Sequence, residues 1–172
     1  MKVAGVHMEV CNFPYNKITN EIYVSGCTFN CEECHNPELQ DYSIGMDWKN
    51  TSIYLDEFWE NKFVGAVSIL GGDLLCQDRK DISEFCMFLK EKSEKYDKDL
   101  WLFTGFDLKS IKLMFLDDLS YLIPNTFKYI KTGQYDNTKK SKTPFASSNQ
   151  KLYIFSKEKN KYTELTDIKK NI

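Results

Sequence analysis

Short apolar runs that alternate with amphipathic segments limit the folds open to this chain of 172 residues. Runs of β-branched and aromatic residues predict four strands, at residues 21–26, 64–70, 100–103 and 127–131. Helical spacing of apolar residues predicts the three helices that are given below. Such alternation is typical of a parallel sheet with crossover helices. Because a complete eight-unit barrel needs about 250 residues, we expect an α/β fold with mostly parallel strands, as an open sheet or an incomplete β/α barrel.

Each of the three predicted helices has an apolar face. The first is expected to run from Thr51 or Ser52 to about Lys62, and the others to cover residues 81–96 and 107–119. The residues that form the three faces are, in order, Leu55, Phe58 and Trp59, then Ile82, Phe85, Cys86 and Leu89, then Leu108, Ile111 and Phe115. We expect residues 1–156 to form a single domain and residues 157–172 to be a frayed, lysine-rich tail.

The charge balance and the hydropathy pattern exclude some classes of function. The 23 Lys and Arg residues against 25 Asp and Glu give a net charge of −2, without the basic surface that a nucleic-acid backbone requires. No run approaches the roughly 18 apolar residues of a membrane span, and residues 1–10 lack the apolar core of a signal peptide. We therefore expect a cytoplasmic protein that binds neither nucleic acid nor membranes.

Three of the six cysteines form a compact group with the spacing Cys27-x3-Cys31-x2-Cys34. Clustered cysteines in an intracellular chain of this length favour metal or redox chemistry over a disulfide framework. Thiolates select zinc, copper(I) or iron–sulfur clusters. Three thiolates on one short loop suit three irons of a cubane and leave the fourth iron open. Two alternatives are three ordinary buried thiols and a zinc loop closed by His7 or His35.

Unusual segments directly follow three of the predicted strands. These segments begin at Cys27, at Gly71 and at Thr104. Since the carboxyl ends of parallel strands meet at one edge of a sheet, we expect the three segments to lie together and to form a site there.

Several motifs in one order give the chain a family resemblance. The cysteine triplet resembles the motif of the radical S-adenosylmethionine superfamily, and the whole set resembles the activating enzymes of anaerobic (class III) ribonucleotide reductases. The motifs are Ser25-Gly-Cys27, Cys34-His-Asn-Pro-Glu38, Leu70-Gly-Gly-Asp73, Trp101-Leu-Phe-Thr-Gly105, Tyr129-Ile-Lys-Thr-Gly133 and Ser148-Asn-Gln-Lys-Leu152. The resemblance covers about residues 20–153 and implies a partial β/α barrel of the radical S-adenosylmethionine type.

The resemblance also implies a set of site residues. Cys27, Cys31 and Cys34 would hold a [4Fe–4S] cluster whose open iron takes the amine and carboxylate of S-adenosylmethionine. The residues that would contact this cofactor are Glu33, Cys34, His35, Gly71, Gly72, Asp73, Thr104 and Lys131. Gly71 and Gly72 would allow close approach to the methionine moiety, with Asp73 adding charge or bracing the turn. The alternative for the two glycines is that they only form a turn between a strand and a helix. The alternative for Lys131 and His35 is that their side chains are exposed to solvent and do not contact the cofactor.

Two positions depart from the family pattern. Glu33 stands where many radical enzymes carry an aromatic residue that packs on adenine. The segment 11–20 lacks the Gly-Pro-Gly type of sequence that family members often have before the first strand. The remaining cysteines, Cys11, Cys76 and Cys86, match no family ligand, and Cys86 is expected in the core.

The activity implied by the resemblance is radical generation on another protein. A reduced cluster would cleave S-adenosylmethionine to methionine and a 5′-deoxyadenosyl radical, which would take a hydrogen atom from a backbone glycine of the large reductase subunit. The implied partners are that subunit and a flavodoxin- or ferredoxin-type reductant. Three rival functions remain: a radical enzyme for another glycyl-radical enzyme or a small molecule, a non-catalytic zinc-loop binding module, and an iron–sulfur electron carrier.

Overall fold

The computed structural model describes residues 1–11, 17–115, 118–141 and 145–166, and it has one open, eight-stranded sheet. The strand order across the sheet is β3-β1-β2-β4-β5-β6-β7-β8. The strands are β1 (Lys2–Val10), β2 (Ile18–Val24), β3 (Met46–Asp47), β4 (Val64–Gly71), β5 (Asp99–Phe103), β6 (Tyr129–Thr132), β7 (Lys151–Ser156) and β8 (Lys161–Glu164). The four strands predicted from the sequence correspond to β2, β4, β5 and β6, so these predictions are confirmed.

Parallel pairing is confined to the centre of the sheet. Strands β2, β4, β5 and β6 pair in parallel. The flanking pairs β1–β3, β1–β2, β6–β7 and β7–β8 are antiparallel. The expectation of mostly parallel strands therefore holds for the predicted four strands and not for the whole described sheet. The sequence does not predict the strands β1 and β8, because they are partly exposed and lack the continuous apolar run of a buried strand.

The helices lie between the central strands, as the alternation predicts. They are α1 (Glu57–Glu60), α2 (Arg79–Tyr96), α3 (Leu108–Met114) and α4 (Asp118–Thr126). Helix α2 begins after Asp78, whose side chain accepts a hydrogen bond from the Lys80 amide and so caps the first turn. Its predicted apolar face is buried, Cys86 included.

Two helix predictions are wrong in their extent. Residues 51–62 form a short 3₁₀ turn at Ser52–Tyr54 and then the four-residue α1. Of the predicted apolar face, Phe58 and Trp59 are buried but Leu55 is exposed, so the face does not continue as one helix. Residues 107–119 do not form one helix: α3 ends at Met114, and α4 begins at Asp118.

The chain beyond Lys157 is not frayed where it is described. Strand β8 pairs with β7, and the Tyr162 hydroxyl donates a 2.8 Å hydrogen bond to the Phe127 carbonyl. Residues 167–172 lie outside the described part of the chain.

Two apolar clusters cover the two faces of the central sheet, since side chains alternate along a strand. The larger cluster joins Ile69 and Leu102 of the sheet to Phe85 and Leu89 of α2 and to Ile123 of α4. The smaller cluster, on the opposite face, contains Ala66, Trp101, Tyr129 and Leu152. No helix among the described residues is both long and apolar enough to cross a bilayer.

Candidate functional site

A cavity of about 290 Å³ lies at the carboxyl ends of the four parallel strands. The three segments predicted to converge do converge there. Of the predicted site residues, the cavity is lined by Cys27, Cys31, Cys34, His35, Gly71, Gly72, Asp73, Thr104 and Lys131. Glu33 is absent from this lining.

The loop that carries the cysteines is held by backbone hydrogen bonds. The Gly26 amide donates to the Leu39 carbonyl at 2.8 Å, and the Cys27 amide donates to the Gln40 carbonyl at 3.2 Å. The loop folds back on itself through left-handed residues at Asn30 and Glu33, with φ angles of 47° and 53°. These contacts anchor the loop directly after β2, so the cysteines face the ends of the neighbouring strands.

The three thiols of the triplet are free and half-buried, and all three border the same cavity. Among the described residues, no three His, Cys, Asp or Glu side chains converge closely enough to hold a single metal ion. A zinc ion requires its ligands around one point, whereas each corner iron of a cubane takes its own thiolate. The three thiolates, one for each of three irons, are a donor set that fits an iron–sulfur cubane.

The two histidines that were considered as zinc ligands have other surroundings. His7 lies on β1, where its ring packs 4.8 Å from that of Tyr23 and its Nδ1 lies 3.5 Å from a Glu21 carboxylate oxygen. His35 is exposed at the cavity rim, with its ring 5.0 Å from that of Tyr135.

At Gly71 and Gly72 the neighbouring backbone lies so close that a Cβ atom would not fit. Gly71 has a φ of 101°, which side chains rarely adopt, and a Cβ there would lie 2.7 Å from the Val24 carbonyl oxygen. A Cβ on Gly72 would lie 2.6 Å from the Gly26 carbonyl oxygen. The glycine pair thus lets the end of β4 pack against the start of the cysteine loop, in addition to lining the cavity.

Asp73 braces the ends of two strands. Its carboxylate oxygens accept hydrogen bonds from the Leu75 amide (2.9 Å), the Thr104 hydroxyl (2.9 and 3.1 Å) and the Gly105 amide (2.8 Å). The pKa of this carboxyl is raised to about 7, mainly by complete burial and also by the nearby Cys76, while the hydrogen-bond donors oppose the rise. Of the two roles considered for Asp73, bracing the turn is the one with visible contacts.

Thr104, which directly follows β5, lies beside Lys131 of β6. The Thr104 amide donates to the Lys131 carbonyl at 2.9 Å. The Lys131 side chain borders the cavity, with its Nζ 5.6 Å from the centre of the Phe103 ring. Burial lowers the pKa of Lys131 to about 8, and the charges of Asp73 and Cys31 oppose this shift.

Glu33 points away from the cavity into an ion pair. Its carboxylate lies 2.6 Å from the Lys140 Nζ, and this hydrogen bond keeps the pKa of Glu33 below its usual value. Both side chains are exposed, so the contact is a weak surface pair.

Several residues at the site were not found by sequence reasoning. Phe29 lines the cavity and packs against Phe106 with ring centres 4.7 Å apart. Gln77 donates from one amide nitrogen to the carbonyls of Ser25, Gly26 and Asp73. A single Phe or Gln carries no signal in a sequence, because the contacts that define its role are long-range.

Side chains of the Ser148-Asn-Gln motif donate hydrogen bonds to the loop that follows β6. Gln150 donates to the Gly133 carbonyl at 3.0 Å, and Asn149 donates to the Gln134 carbonyl at 2.9 Å. Gln134 in turn donates to the Phe29 carbonyl at 3.2 Å. These hydrogen bonds connect the motif, through the loop after β6, to the cysteine loop.

Cys76 lies beside the triplet although it matches no family ligand. Its Sγ lies 3.3 Å from the Thr28 hydroxyl. The nearby Cys27 lowers the pKa of the Cys76 thiol to about 6, whereas Cys76 and burial raise the pKa of Cys27. The segment 11–20, which departs from the family pattern, lies partly outside the described residues, because residues 12–16 are not described.

Comparison with known proteins gives the class. Residues 18–153, most of the chain, match the family described as 4Fe-4S single cluster domain, and the chain belongs to this family. The match begins at β2 and ends in β7, so it includes the cysteine loop and all four parallel strands.

Individual relatives share one name. The chain is 29% identical over 135 residues to the anaerobic ribonucleoside-triphosphate reductase-activating protein of Enterobacteria phage T4, covering 77% of this chain and 81% of the relative. The protein of the same name from Pasteurella multocida (strain Pm70) is 28% identical over 140 residues, covering 78% and 85%. That of Haemophilus influenzae is 26% identical over 101 residues, covering 52% and 59%.

Proposed function

We propose that this protein is a radical S-adenosylmethionine activase that generates a glycyl radical on an anaerobic ribonucleotide reductase. The observation that carries the proposal is the position of the three family thiols. They border one cavity at the carboxyl ends of parallel strands, which is where α/β folds bind their ligands. The names of the relatives in phage T4 and Pasteurella multocida support the choice of the reductase as substrate.

In this proposal Cys27, Cys31 and Cys34 hold the cluster, and the cavity receives S-adenosylmethionine. When bound, the cluster would supply the single electron for the reductive cleavage of S-adenosylmethionine. The chain itself binds and orients S-adenosylmethionine and excludes water from the cavity. Polar groups that border the cavity, including the Lys131 ammonium, are available to the cofactor carboxylate and ribose.

The cofactor contacts proposed from the sequence divide into two groups. His35, Gly71, Gly72, Thr104 and Lys131 border the cavity and are proposed to touch the cofactor directly. Asp73 also borders it, but its carboxylate is fully engaged with Leu75, Thr104 and Gly105, so we propose that it acts by positioning the strand ends. For Glu33, paired with Lys140 at the surface, we propose a contact only if that pair opens.

The proposed fold is a partial barrel of the radical S-adenosylmethionine type, formed by residues 1–156 as a single domain with a lysine-rich segment after it. The sheet ends in two edge strands, β3 and β8, instead of closing. A protein loop, unlike a small substrate, needs such an open side. We propose that the glycine-bearing loop of the reductase enters there, and that a flavodoxin- or ferredoxin-type protein in the cytoplasm donates the electron.

The test uses protein prepared without air and reconstituted with iron and sulfide. We expect a brown protein that, after reduction with dithionite, converts S-adenosylmethionine to methionine and 5′-deoxyadenosine, and that produces a glycyl doublet in electron paramagnetic resonance when mixed with the reductase. Cys31→Ala should abolish the visible absorbance and the cleavage, whereas Cys11→Ala, at an exposed cysteine outside the site, should change neither.

The outcomes separate the rivals. If the purified protein contains zinc and no iron, the proposed activase function is wrong and the protein is a zinc-loop binding module. A cluster without cofactor cleavage would indicate an electron carrier. Cleavage without the glycyl doublet would keep the radical chemistry and move the substrate to another glycyl-radical enzyme or a small molecule.

A further inference from the structure

Gln134 is a residue of the site to which the proposed function gives no role. It lies in the loop that follows β6 and borders the cavity. Its side-chain amide donates a 3.2 Å hydrogen bond to the carbonyl of Phe29, which stands between Cys27 and Cys31 in the sequence. This bond joins the middle of the cysteine loop to a segment 105 residues further along the chain.

The backbone around Gln134 is held from its other side by the segment 147–150. The hydrogen bonds run from the Asn149 side chain to the Gln134 carbonyl (2.9 Å), from the Gln150 side chain to the Gly133 carbonyl (3.0 Å), and from the Asp136 amide to the Ser147 hydroxyl (3.2 Å). Ser147 and Gln150 are themselves buried. A side chain on a fixed backbone loses less conformational freedom when it forms a bond, so the Gln134 amide is preorganised for the Phe29 carbonyl.

Phe106 closes a ring of contacts between the two loops. Its carbonyl accepts a 3.2 Å hydrogen bond from the Gly133 amide, and its ring packs on that of Phe29 with ring centres 4.7 Å apart. The Phe29 ring therefore lies against Phe106, while the Phe29 carbonyl is bonded to Gln134. Both ends of Phe29 are thus fixed relative to the loop after β6.

The cysteine loop needs such support because its backbone is not in a relaxed conformation. Asn30 and Glu33 have φ angles of 47° and 53°, in the left-handed region that residues with a Cβ rarely adopt. Such conformations persist only where surrounding contacts impose them. Backbone bonds at Gly26 and Cys27 fix the start of the loop, and the bond from Gln134 fixes its middle.

We propose that Gln134 is a positioning residue: it holds the middle of the cysteine loop, so that Cys27 and Cys31 keep their cluster-binding arrangement before a cluster is present. Asn149 supports Gln134 by fixing its backbone. This inference rests on the proposed function, because it takes the two cysteines to be cluster ligands.

The first experiment measures how freely the loop opens in the full-length apo protein, from the rate at which iodoacetamide alkylates each cysteine. Gln134→Met keeps the length of the side chain but removes the donor, so we expect Cys31 to react about three- to tenfold faster than in wild type. The matched control is Lys139→Ala in the same loop, because the Lys139 Nζ bonds only within that loop, to Asp136 at 2.6 Å, among the contacts of the described residues.

Mass spectrometry resolves the rate at each cysteine. The exposed Cys11 is the internal reference, and its rate should be the same in all variants. Lys139→Ala should leave the Cys31 rate at the wild-type value. If Cys31 reacts equally fast in wild type and in Gln134→Met, the proposal is wrong.

A second pair of variants tests whether Asn149 acts through Gln134. Asn149 is not among the described residues that line the cavity, so an effect of its loss does not arise from contact with a bound ligand. We expect Asn149→Ala to accelerate the alkylation of Cys31, and the double variant Gln134→Met/Asn149→Ala to react no faster than Gln134→Met alone. A full additional acceleration in the double variant would overturn the supporting role of Asn149.

The third experiment separates positioning from a general contribution to stability. Because Gln134 is exposed, we expect Gln134→Met to keep the urea midpoint of wild type. When iron and sulfide are added, its visible absorbance should rise about three- to tenfold more slowly, and the reduced cluster should give a broadened electron paramagnetic resonance signal. A lowered midpoint together with wild-type uptake and spectrum would mean that Gln134 is only structural and would overturn the proposal.

The two proposals fail in different ways. If no variant assembles a cluster but Gln134→Met still accelerates the alkylation of Cys31, the proposed function fails and Gln134 still holds the loop. If wild type assembles a cluster and cleaves S-adenosylmethionine but Gln134→Met matches it in alkylation, uptake and spectrum, only this inference fails.

Discussion

Asp73 is the residue at which the ends of two central strands are joined. Its two carboxylate oxygens accept bonds from Leu75, Thr104 and Gly105, and the side chain is 2% exposed. A carboxylate is suited to this place because both of its oxygens are acceptors, and every group that points at them is a donor. The sequence left two possible roles for Asp73 open, since two of its partners, Thr104 and Gly105, directly follow β5 and lie about 30 residues away along the chain.

We expect Asp73→Asn to lower the free energy of unfolding by about 1–3 kcal/mol, because one amide NH₂ then faces a buried donor. Urea denaturation of the apo protein measures this change. The matched control is Asp78→Asn, at the N-cap of α2, where asparagine caps as well as aspartate and the stability should be unchanged. Equal changes in the free energy of unfolding at both positions would mean that the hydrogen bonds of Asp73 do not stabilise the junction of the two strands.

The same carboxyl gives a pH dependence with a definite sign. Its pKa rises from 3.8 in the unfolded chain to about 7 in the folded protein, so the folded state retains the proton longer. The contribution of the Asp73 carboxyl to the free energy of unfolding is complete below a pH of 3.8, and it is lost as the pH rises to about 7. The stability difference between wild type and Asp73→Asn should therefore shrink between pH 4 and pH 7; a difference that grows over this range would contradict it.

At the scale of elements, the end of β4 and the start of the cysteine loop are in direct backbone contact. The Gly72 amide donates to the Val24 carbonyl at 2.7 Å, and the Asp73 amide donates to the Gly26 carbonyl. This contact explains why the glycine pair follows the strand without any reference to a ligand. It also means that a change in the turn is transmitted to the cysteines through rigid backbone.

We expect Gly72→Ala to destabilise the fold by about 1–3 kcal/mol, since its Cβ would meet backbone oxygen that cannot rotate away. Because the loop must shift, iron bound per chain after reconstitution should also fall. Gly5→Ala on β1 is the control, as a Cβ there meets nothing within 4 Å. If Gly72→Ala binds iron and unfolds as wild type does, the turn does not position the loop.

The whole molecule is a sheet whose parallel centre is extended by antiparallel strands on both sides. The last strand, β8, is joined to the rest by the Tyr162 hydroxyl, which bonds to the carbonyl before β6, and by the packing of Tyr162 on Phe155, with ring centres 5.1 Å apart. Residues that look like a polar tail in the sequence thus complete the sheet. Burial raises the pKa of the Tyr162 phenol well above its usual value.

Tyr162→Phe tests whether β8 contributes to global stability. We expect a loss of about 0.5–1.5 kcal/mol in the free energy of unfolding, because the Phe127 carbonyl loses its donor while the ring is retained. Tyr121→Phe, at a side chain that is 69% exposed, should leave the urea midpoint unchanged. No loss at Tyr162 would indicate that β8 frays independently of the sheet.

The sequence alone determined the features that depend on local spacing. These are the cysteine triplet, the four buried strands, the apolar face of α2 and the convergence of strand ends, because each follows from residues near one another in the chain or from the geometry of parallel sheets. Only the tertiary structure decided which glycine contacts are backbone contacts, what Asp73 braces and that β8 completes the sheet. These contacts join distant segments, and their partners are fixed by packing, which no local pattern records.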